Sequence, residues 1–502
     1  MKLSKKAVKI VKEYKFLGVT VDSGLRFTSH VKKVIAKGKR RNRILRCLAG
    51  KDWGQSLETQ RALYLTYIRS AMEYACASWY PWISATNKKR LEAVQNEALR
   101  SMCRLSKTCP IDFLRLESGV EPLSVRMDKS CMITWERYNR LPEEDTRKVL
   151  QNSAVRRHGL KSRHGWRHNT GPSMEQFECN RNIPPVNIAP WMEMNAKIES
   201  VDMEKKKEEY SSEELKEMTQ QKIAEIDADI EIYTDGSTSG QQRNGGAGIF
   251  IRSKDGTTLE RMSIAAGRYC SSYDGECVAM AEATKWINER PTGSQRYAIY
   301  TDSMSLVNAL ESNNWKDGHE WLRCIKLNLA NNRSNVYICW VPSHCGTDGN
   351  EEADKLADVG ASRPQDDAPV TFGIVRAKIR NLPWRVTHVR ALETFGEAKK
   401  PKFDVEKKWP RLRTGHAVEL NSYAKFIGKD EDDMCPLCEQ EIDKIKHVIC
   451  FCPGLEARRR SITSDPFTMN MMVSHPEKCR KLLEGRFKEL AINDQAARNT
   501  TS

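Results

Sequence analysis

No stretch of this 502-residue chain approaches the roughly 18 consecutive apolar residues that a membrane-spanning helix needs, so no membrane partner is expected. The N-terminal "MKLSKKAVKIVKEYKF" likewise lacks an apolar core of signal-peptide length, and the expectation is an intracellular protein of the nucleus, the cytoplasm or both. Aromatic residues make up only 8% against 39% hydrophobic residues in all, which suits several globular pieces joined by polar linkers. No internal repeat is visible. Cysteine is not scarce, at 16, but it is scattered apart from one cluster near the C-terminus. That distribution argues against a disulfide framework and for reduced thiols plus a metal site.

Positive charge is abundant. A formal net charge of +16 points to a polyanion, most simply nucleic acid, because each neutralised phosphate releases condensed counterions. The first fifty residues carry 15 Lys/Arg against 2 Asp/Glu, whereas Val201 to Ile230 carries 5 against 10. A basic face that only keeps the chain dissolved is the competing reading.

Residues 31 to about 140 read as helical, with apolar positions three and four apart in "LETQRALYLTYIRSAMEYACASWY" and "KRLEAVQNEALRSMCRL". The tract "RRHGLKSRHGWRHNTGPSMEQFECNRNIPPVNIAPW" reads as an extended connector, and "MEKKKEEYSSEELKEMTQQKIAEID" as an exposed helix or tether. From Asp229 the pattern changes. Three runs split by Gly-containing turns predict an antiparallel meander, and helices alternating with "YAIYTD" and "VYICWV" then predict one mixed sheet with helices on its faces. Past Ala361 the chain reads as polar and linker-like as far as Trp409.

Four acids fall at element ends or on core-facing stripes of this region. Asp235 ends an apolar strand and Asp302 ends another. Glu276 shares the stripe of Ala279, Met280, Ala283 and Ile287, and Asp354 borders the face of Ala353, Leu356 and Ala357. Taken singly, each is a turn residue, a cap or a helix-dipole acid. Taken together they repel one another, and the usual resolution is a hard cation such as Mg²⁺ with oxygen ligands. Two such ions about 3.5–4 Å apart can activate a water and stabilise the leaving oxygen of a phosphodiester.

A second constellation is "MCPLCEQEIDKIKHVICFCP". Cys435, Cys438, His447 and Cys452, separated by two, eight and four residues, can close a tetrahedral Zn²⁺ site, with Cys450 a rival for the last place. Four protein ligands leave no open position, so such a zinc is structural.

"YTDGS", "GECVAMAEA", "YTDS" and "WVPSHCGTDGNEEADKLA", in this order, resemble type I ribonuclease H over about 130 residues. The resemblance implies an α/β fold with a mixed five-stranded sheet and flanking helices. It also implies that Asp235, Glu276, Asp302 and Asp354 hold two Mg²⁺ or Mn²⁺ ions, with His344 assisting proton transfer or product release. The implied reaction is hydrolysis of the RNA strand of an RNA·DNA hybrid to 3′-hydroxyl and 5′-phosphate ends. Ser272 and Ser303 fall where the family places polar groups near the RNA strand, while Met304 stands where a glutamine is common. Gly245, Gly246 and Gly248 leave room for main-chain groups to approach a minor groove lined with 2′-hydroxyls; a hairpin needing positive φ is the alternative. The interval from Asp302 to His344 is shorter than in members with a basic handle, which leaves hybrid affinity to other parts of the chain.

The cysteine cluster, preceded by "RLRTGHAVEL", resembles the C-terminal CCHC knuckle of non-LTR retrotransposon polyproteins, which implies nucleic-acid binding. "YKFLGVTVDSGLRFTSHV" and "LEAVQNEALRSMCRLSKTCPIDFLRLESGVEPL" resemble the end of the palm and the thumb of the polymerase in I- or ingi-like elements. The paired aspartates on an aromatic hairpin that a polymerase needs are missing, since Asp366-Asp367 and Asp432-Asp433 lie in polar context.

The expected organisation is a basic helical thumb-like piece over 1–140, a linker over 141–227 and a ribonuclease H domain over 228–362. A linker over 363–408, the RTGH segment and zinc knuckle over 409–460 and a tail over 461–502 complete it. The expected function is a hybrid-specific endoribonuclease without polymerase activity that also binds single- or double-stranded nucleic acid through its basic N-terminus and knuckle. The competing readings are a silent retrotransposon relic that only binds nucleic acid, and a cellular ribonuclease H with unrelated appendages.

Overall fold

The computed structural model describes residues 11–48, 54–152, 165–177, 191–240, 243–290, 295–312, 319–383 and 409–500, except 206 and 333, together with residues 2, 3, 6, 7, 180, 181 and 183. The chain divides into two compact units: Met1–Cys131, Ala154–Thr170 and Leu382–Ser502 form one, and Met132–Ser153 with Gly171–Asn381 forms the other.

The second unit is built on a six-stranded mixed sheet. Its elements are β1 (Lys197–Ser200), α1 (Ser212–Ile226), β2 (Ile230–Ser239), β3 (Asn244–Ser253), β4 (Thr258–Gly267) and α2 (Ser272–Asn288). They continue with β5 (Arg296–Thr301), α3 (Met304–Glu311), α4 (Glu320–Asn331), β6 (Asn335–Trp340), α5 (Asp348–Ser362) and α6 (Phe372–Asn381). The strand order is β1-β6-β5-β2-β3-β4; β2, β3 and β4 form the expected antiparallel meander, and β2, β5, β6 and β1 run parallel. In β2, Ile232, Tyr233 and Thr234 are all fully buried, the pattern of a strand covered on both faces.

Five strands were expected and six are present. The extra one, β1, comes from the segment read as a linker; four residues are too short to show a period, and they gain their hydrogen bonds by capping the open edge of β6. The charged stretch that follows is helical because Ser211 and Glu214 form a reciprocal capping box, and it buries Leu215, Thr219 and Ile226. α6 likewise replaces part of the expected linker after residue 362, burying Ile374, Val375 and Ile379. Residues 384–408 of that linker, and most of the irregular tract between 153 and 190, lie outside the described residues.

Small residues set the spacing between helices and sheet. A Cβ on Gly246 would overlap the Ala357 carbonyl and the Ala361 amide, and one on Gly248 the Ala353 carbonyl. α5 answers with a buried stripe of Ala353, Ala357 and Ala361. A Cβ on Gly236 would strike the backbone of Glu276, which lets α2 lie directly on β2. The three glycines of β3 are therefore buried against protein. The space of Gly246 and Gly248 is taken by α5, and that of Gly245 by the Cys270 side chain. None of the three has positive φ, so neither a groove lined by bare backbone nor a turn accounts for them.

The first unit contains the helices Thr28–Leu48, Leu57–Leu63, Ala85–Cys103 and Ile111–Ser118, around a core that includes Leu45, Tyr64, Ile68, Trp79, Leu91 and Leu99. A second cluster joins Trp409, Leu412, Cys435, Val448, Leu455, Met472, Leu482 and Leu483, so the segment read as a tail supplies core residues. Phe113 and Leu116 of the Ile111–Ser118 helix pack on this cluster. Arg413 makes two 2.8 Å hydrogen bonds to the Glu117 carboxylate, with both side chains buried. Among the described residues no helix is long and apolar enough to cross a membrane.

Gly236→Ala has nowhere to put its methyl except the backbone of α2. It is expected to lower the unfolding free energy by about 2–3 kcal/mol in a urea titration, whereas Gly373→Ala, in the first turn of α6 without positive φ and with only Thr371 Oγ1 in ordinary contact at 3.6 Å, stays within about 1 kcal/mol of the parent. Equal stability of the two variants would contradict the packing described.

Candidate functional site

Strand register brings the first two acids together. Thr234 pairs with Thr301 between β2 and β5, so Asp235 and Asp302 follow on neighbouring parallel strands at the C-terminal end of β5. Such strand ends are where open α/β sheets place their ligands. Asp302 is fixed by its main chain: its carbonyl accepts from Trp340 Nε1 at 3.1 Å and from the Met304 amide at 3.1 Å.

Glu276 arrives from the first turns of α2. That helix starts where Ser271 and Asp274 form a capping box, with Ser271 Oγ accepting from the Asp274 amide at 3.2 Å and Asp274 returning a 2.7 Å acceptor to the Ser271 amide. The close approach allowed by Gly236 then puts Glu276 beside Asp235. One carboxylate oxygen from each of Asp235, Glu276 and Asp302 lies within 4.8 Å of the others. Asp354, on α5, stands outside this trio, but its charge acts on Asp235.

The electrostatics are unfavourable as they stand. Burial, then the charges of Asp302 and Asp354, push Asp235 up to about 7. Burial, then Asp235 and Asp302, hold Glu276 well above the ordinary glutamate range. Asp302 is also raised, chiefly by burial, while His344 and Lys207 oppose the shift. Glu276 Oε2 is buried with no hydrogen-bond partner. A buried carboxylate oxygen without a donor, next to two more carboxylates, fits a divalent cation with oxygen ligands.

His344 is exposed, with φ of 56°, on the loop between β6 and α5. Its neighbour Cys345 anchors that loop, with Sγ 3.2 Å from the Pro342 carbonyl and 3.3 Å from Thr347 Oγ1. Ser272 is exposed at the first residue of α2. Ser303 precedes α3 without capping it through its side chain, and Met304 beside it is 39% exposed. Of the residues singled out from sequence, the structure brings the four acids and His344 into one neighbourhood and turns Gly245 and Gly246 inward. Lys207, whose charge reaches Asp302, gave no signal because it sits in a run of like charges.

The second cluster lies in the other unit. Donor atoms of Cys435, Cys438, His447 and Cys452 all fall within 4.8 Å of one another. Cys435 and Cys452 sulfurs are 3.7 Å apart, and Cys438 Sγ is 3.3 Å from His447 Nε2. His447 Nδ1 sits 2.9 Å from the Glu441 carboxylate. That contact fixes the tautomer that turns Nε2 toward the thiols, an arrangement typical of metal-bound histidine. Glu441 falls among the eight residues between Cys438 and His447, where nothing in the sequence singles it out. Burial and the neighbouring Cys435 raise the Cys452 thiol to about 12, a state that a bound cation would reverse. Cys450 is half-buried and outside the cluster, so Cys452 takes the fourth place.

Comparison with known proteins places the first cluster in a family context. A family model described as RNase H matches residues 227–362. The chain is 30% identical over 149 residues to a ribonuclease H of Jannaschia sp. (strain CCS1), covering 26% of this chain and 90% of that protein. It is 30% identical over 151 residues to ribonuclease HI of Pasteurella multocida (strain Pm70), covering 27% and 91%. Among solved structures, RNase H1 from the halophilic archaeon Halobacterium salinarum NRC-1 is 22% identical, with a TM-score of 0.21, over 26% of this chain and 97% of that one.

Cys452→Ser is expected to remove about one equivalent of bound metal from the purified protein, measured by elemental mass spectrometry, while Cys450→Ser retains it. The reverse result would assign the fourth ligand to Cys450.

Proposed function

We propose that this chain, which belongs to the ribonuclease H family through residues 227–362, is a divalent-metal-dependent endoribonuclease that cleaves the RNA strand of RNA·DNA hybrids. The observation that carries the reading is the unpartnered, buried Glu276 oxygen facing Asp235 and Asp302. Asp235, Glu276, Asp302 and Asp354 are the residues that would hold Mg²⁺ or Mn²⁺, two ions in all. When bound, the ions supply an activated water and stabilisation of the leaving oxygen.

The side chains of the chain itself carry the rest. The rigid backbone contact at Gly236 fixes Glu276, so the acids are ordered before substrate arrives and little reorganisation remains. His344, exposed near Asp302 on an anchored loop, is positioned to exchange a proton with solvent as the 5′-phosphate leaves. Ser272 and Ser303, at the starts of the two helices beside the acids, are the proposed polar contacts to the RNA strand. Gly245 and Gly246 are assigned to packing instead, for the reasons given above.

Cys435, Cys438, His447 and Cys452 are proposed to hold a structural Zn²⁺, supported by Glu441 behind His447. The basic Thr28–Leu48 helix and this knuckle are proposed as further contacts to single- or double-stranded nucleic acid. The order of a helical basic unit, a nuclease and a Cys/His knuckle supports origin as the C-terminal part of a non-LTR retrotransposon polyprotein acting in reverse transcription. The 1–140 and 409–460 segments are then the thumb-like piece and the RTGH-knuckle piece. Polymerase activity is not part of the proposal, because the sequence's two Asp-Asp pairs, Asp366-Asp367 and Asp432-Asp433, lie in polar context and not on an aromatic hairpin.

In a cleavage assay on a labelled RNA·DNA hybrid with Mg²⁺ or Mn²⁺, Asp302→Asn should lower the rate at least about 100-fold, some ~3 kcal/mol of transition-state stabilisation. Products should carry 3′-hydroxyl and 5′-phosphate ends. Equal activity of parent and variant sinks the site assignment, and a parent that binds hybrid yet never cleaves it would make the protein a silent nucleic-acid binder.

A further inference from the structure

The segment just before the family match, from β1 through α1, closes onto the loop that carries His344. β1 pairs with β6 over its whole length, and the Val201 amide extends the ladder with a 3.2 Å bond to the Trp340 carbonyl. A single 3₁₀ turn, Lys207–Glu209, leads into α1. Lys207 Nζ then donates to Ser343 Oγ at 2.5 Å, and Thr219 Oγ1 lies 3.9 Å from Cys345 Sγ. The Lys216 stem passes over Gly346, 3.6 Å from where a Cβ would stand.

We propose that Lys207 is a substrate-binding residue of the nuclease site, contacting a backbone phosphate of the hybrid strand that enters the acid cluster. The proposal rests on the hybrid-cleaving reading above. Four clustered acids repel a polyanion, and an adjacent cation offsets that repulsion along the strand outside the reacting phosphodiester. Lys207 is half-buried beside the His344 loop and its charge reaches Asp302. Among the described residues it forms no direct ion pair; its hydrogen bond goes to a neutral hydroxyl, which leaves two ammonium protons for a further acceptor. Among the described residues between Asp302 and His344 the one lysine, Lys326, is buried and donates to the Ser312 carbonyl at 2.7 Å. A part of the chain outside residues 227–362 thus places a cation beside the acid cluster.

The bland role for Lys207 is to pin the loop through Ser343. Lys207→Gln separates the two roles, since it keeps a donor for Ser343 and removes only the charge. Binding of a short labelled RNA·DNA hybrid to the full chain is followed by fluorescence anisotropy in Ca²⁺ across a salt series. Lys207→Gln should weaken binding about 3- to 10-fold and reduce the slope of log K against log salt by about one unit, while Lys207→Arg keeps both. Lys205→Gln, which removes the same net charge from an exposed neighbour, should leave the slope unchanged. In Mg²⁺ the loss should appear in KM with kcat nearly preserved. A Lys207→Gln protein with parental affinity and slope overturns the proposal even if hybrid is cleaved normally. Lys207-dependent binding without any cleavage instead leaves it standing and removes the hydrolase reading.

Discussion

Three carboxylates within 4.8 Å of one another, those of Asp235 and Glu276 buried and that of Asp302 half-buried, are the constraint around which the nuclease-like unit is organised. Ionised together in a low-dielectric site they repel strongly, and each also loses its hydration on burial. Without a cation the protein relieves the strain by protonation, which is why Asp235 and Glu276 sit so far above ordinary carboxylates. A divalent ion relieves it while keeping the acids charged. The fold therefore holds an electrostatic tension that a bound divalent ion would relieve, a cost typical of functional sites.

That tension is held by backbone contacts. Gly236 and Gly275 let α2 touch β2 and β3, since a Cβ on Gly275 would meet the Gly236 Cα at 3.0 Å and the Gly246 carbonyl at 2.6 Å. Gly246 and Gly248 let α5 touch β3, bringing Asp354 up to Asp235. Two helices and two strands converge with no side chains between them at these glycines, so the acids cannot drift apart to escape their repulsion. The glycines that most resembled a nucleic-acid groove serve this convergence. In the other unit a comparable anchoring is ionic: the bidentate Arg413–Glu117 pair ties the segment before the knuckle to the Ile111–Ser118 helix, and buried Arg486 is 2.6 Å from Asp443. Truncating one member of such a pair leaves a buried charge unpaired, at a cost of about 3–5 kcal/mol.

Much of the acid site was legible in the sequence because its residues mark transitions of pattern. Asp235 and Asp302 end apolar runs, and Glu276 interrupts an apolar stripe, so each is conspicuous by misfit. The antiparallel meander and the alternating helices were equally visible from their periods. What could not be read was whatever depends on long-range pairing. β1 is four residues long and becomes a strand only because β6 has an open edge. The inward direction of Gly246 follows from the position of α5 more than a hundred residues later. Glu441 and Lys207 acquire meaning only through His447 and Ser343, partners that local charge patterns do not reveal.

The central claim is that the acid cluster is a cation site whose repulsion is paid until metal binds. Its most direct test is thermal unfolding across pH, with zinc supplied throughout and millimolar Mg²⁺ either present or absent, for the parent and Asp235→Asn. The folded Asp235 titrates near 7, above its ordinary 3.8, so its contribution to stability is fully present below the ordinary value and is lost as pH rises through about 7. The account predicts that, without Mg²⁺, the parent loses several degrees of Tm relative to Asp235→Asn between about pH 5 and about pH 8, and that Mg²⁺ restores the parent only at the higher pH. Parallel pH profiles for the two proteins, or an Mg²⁺ effect of equal size at about pH 5 and about pH 8, would contradict it.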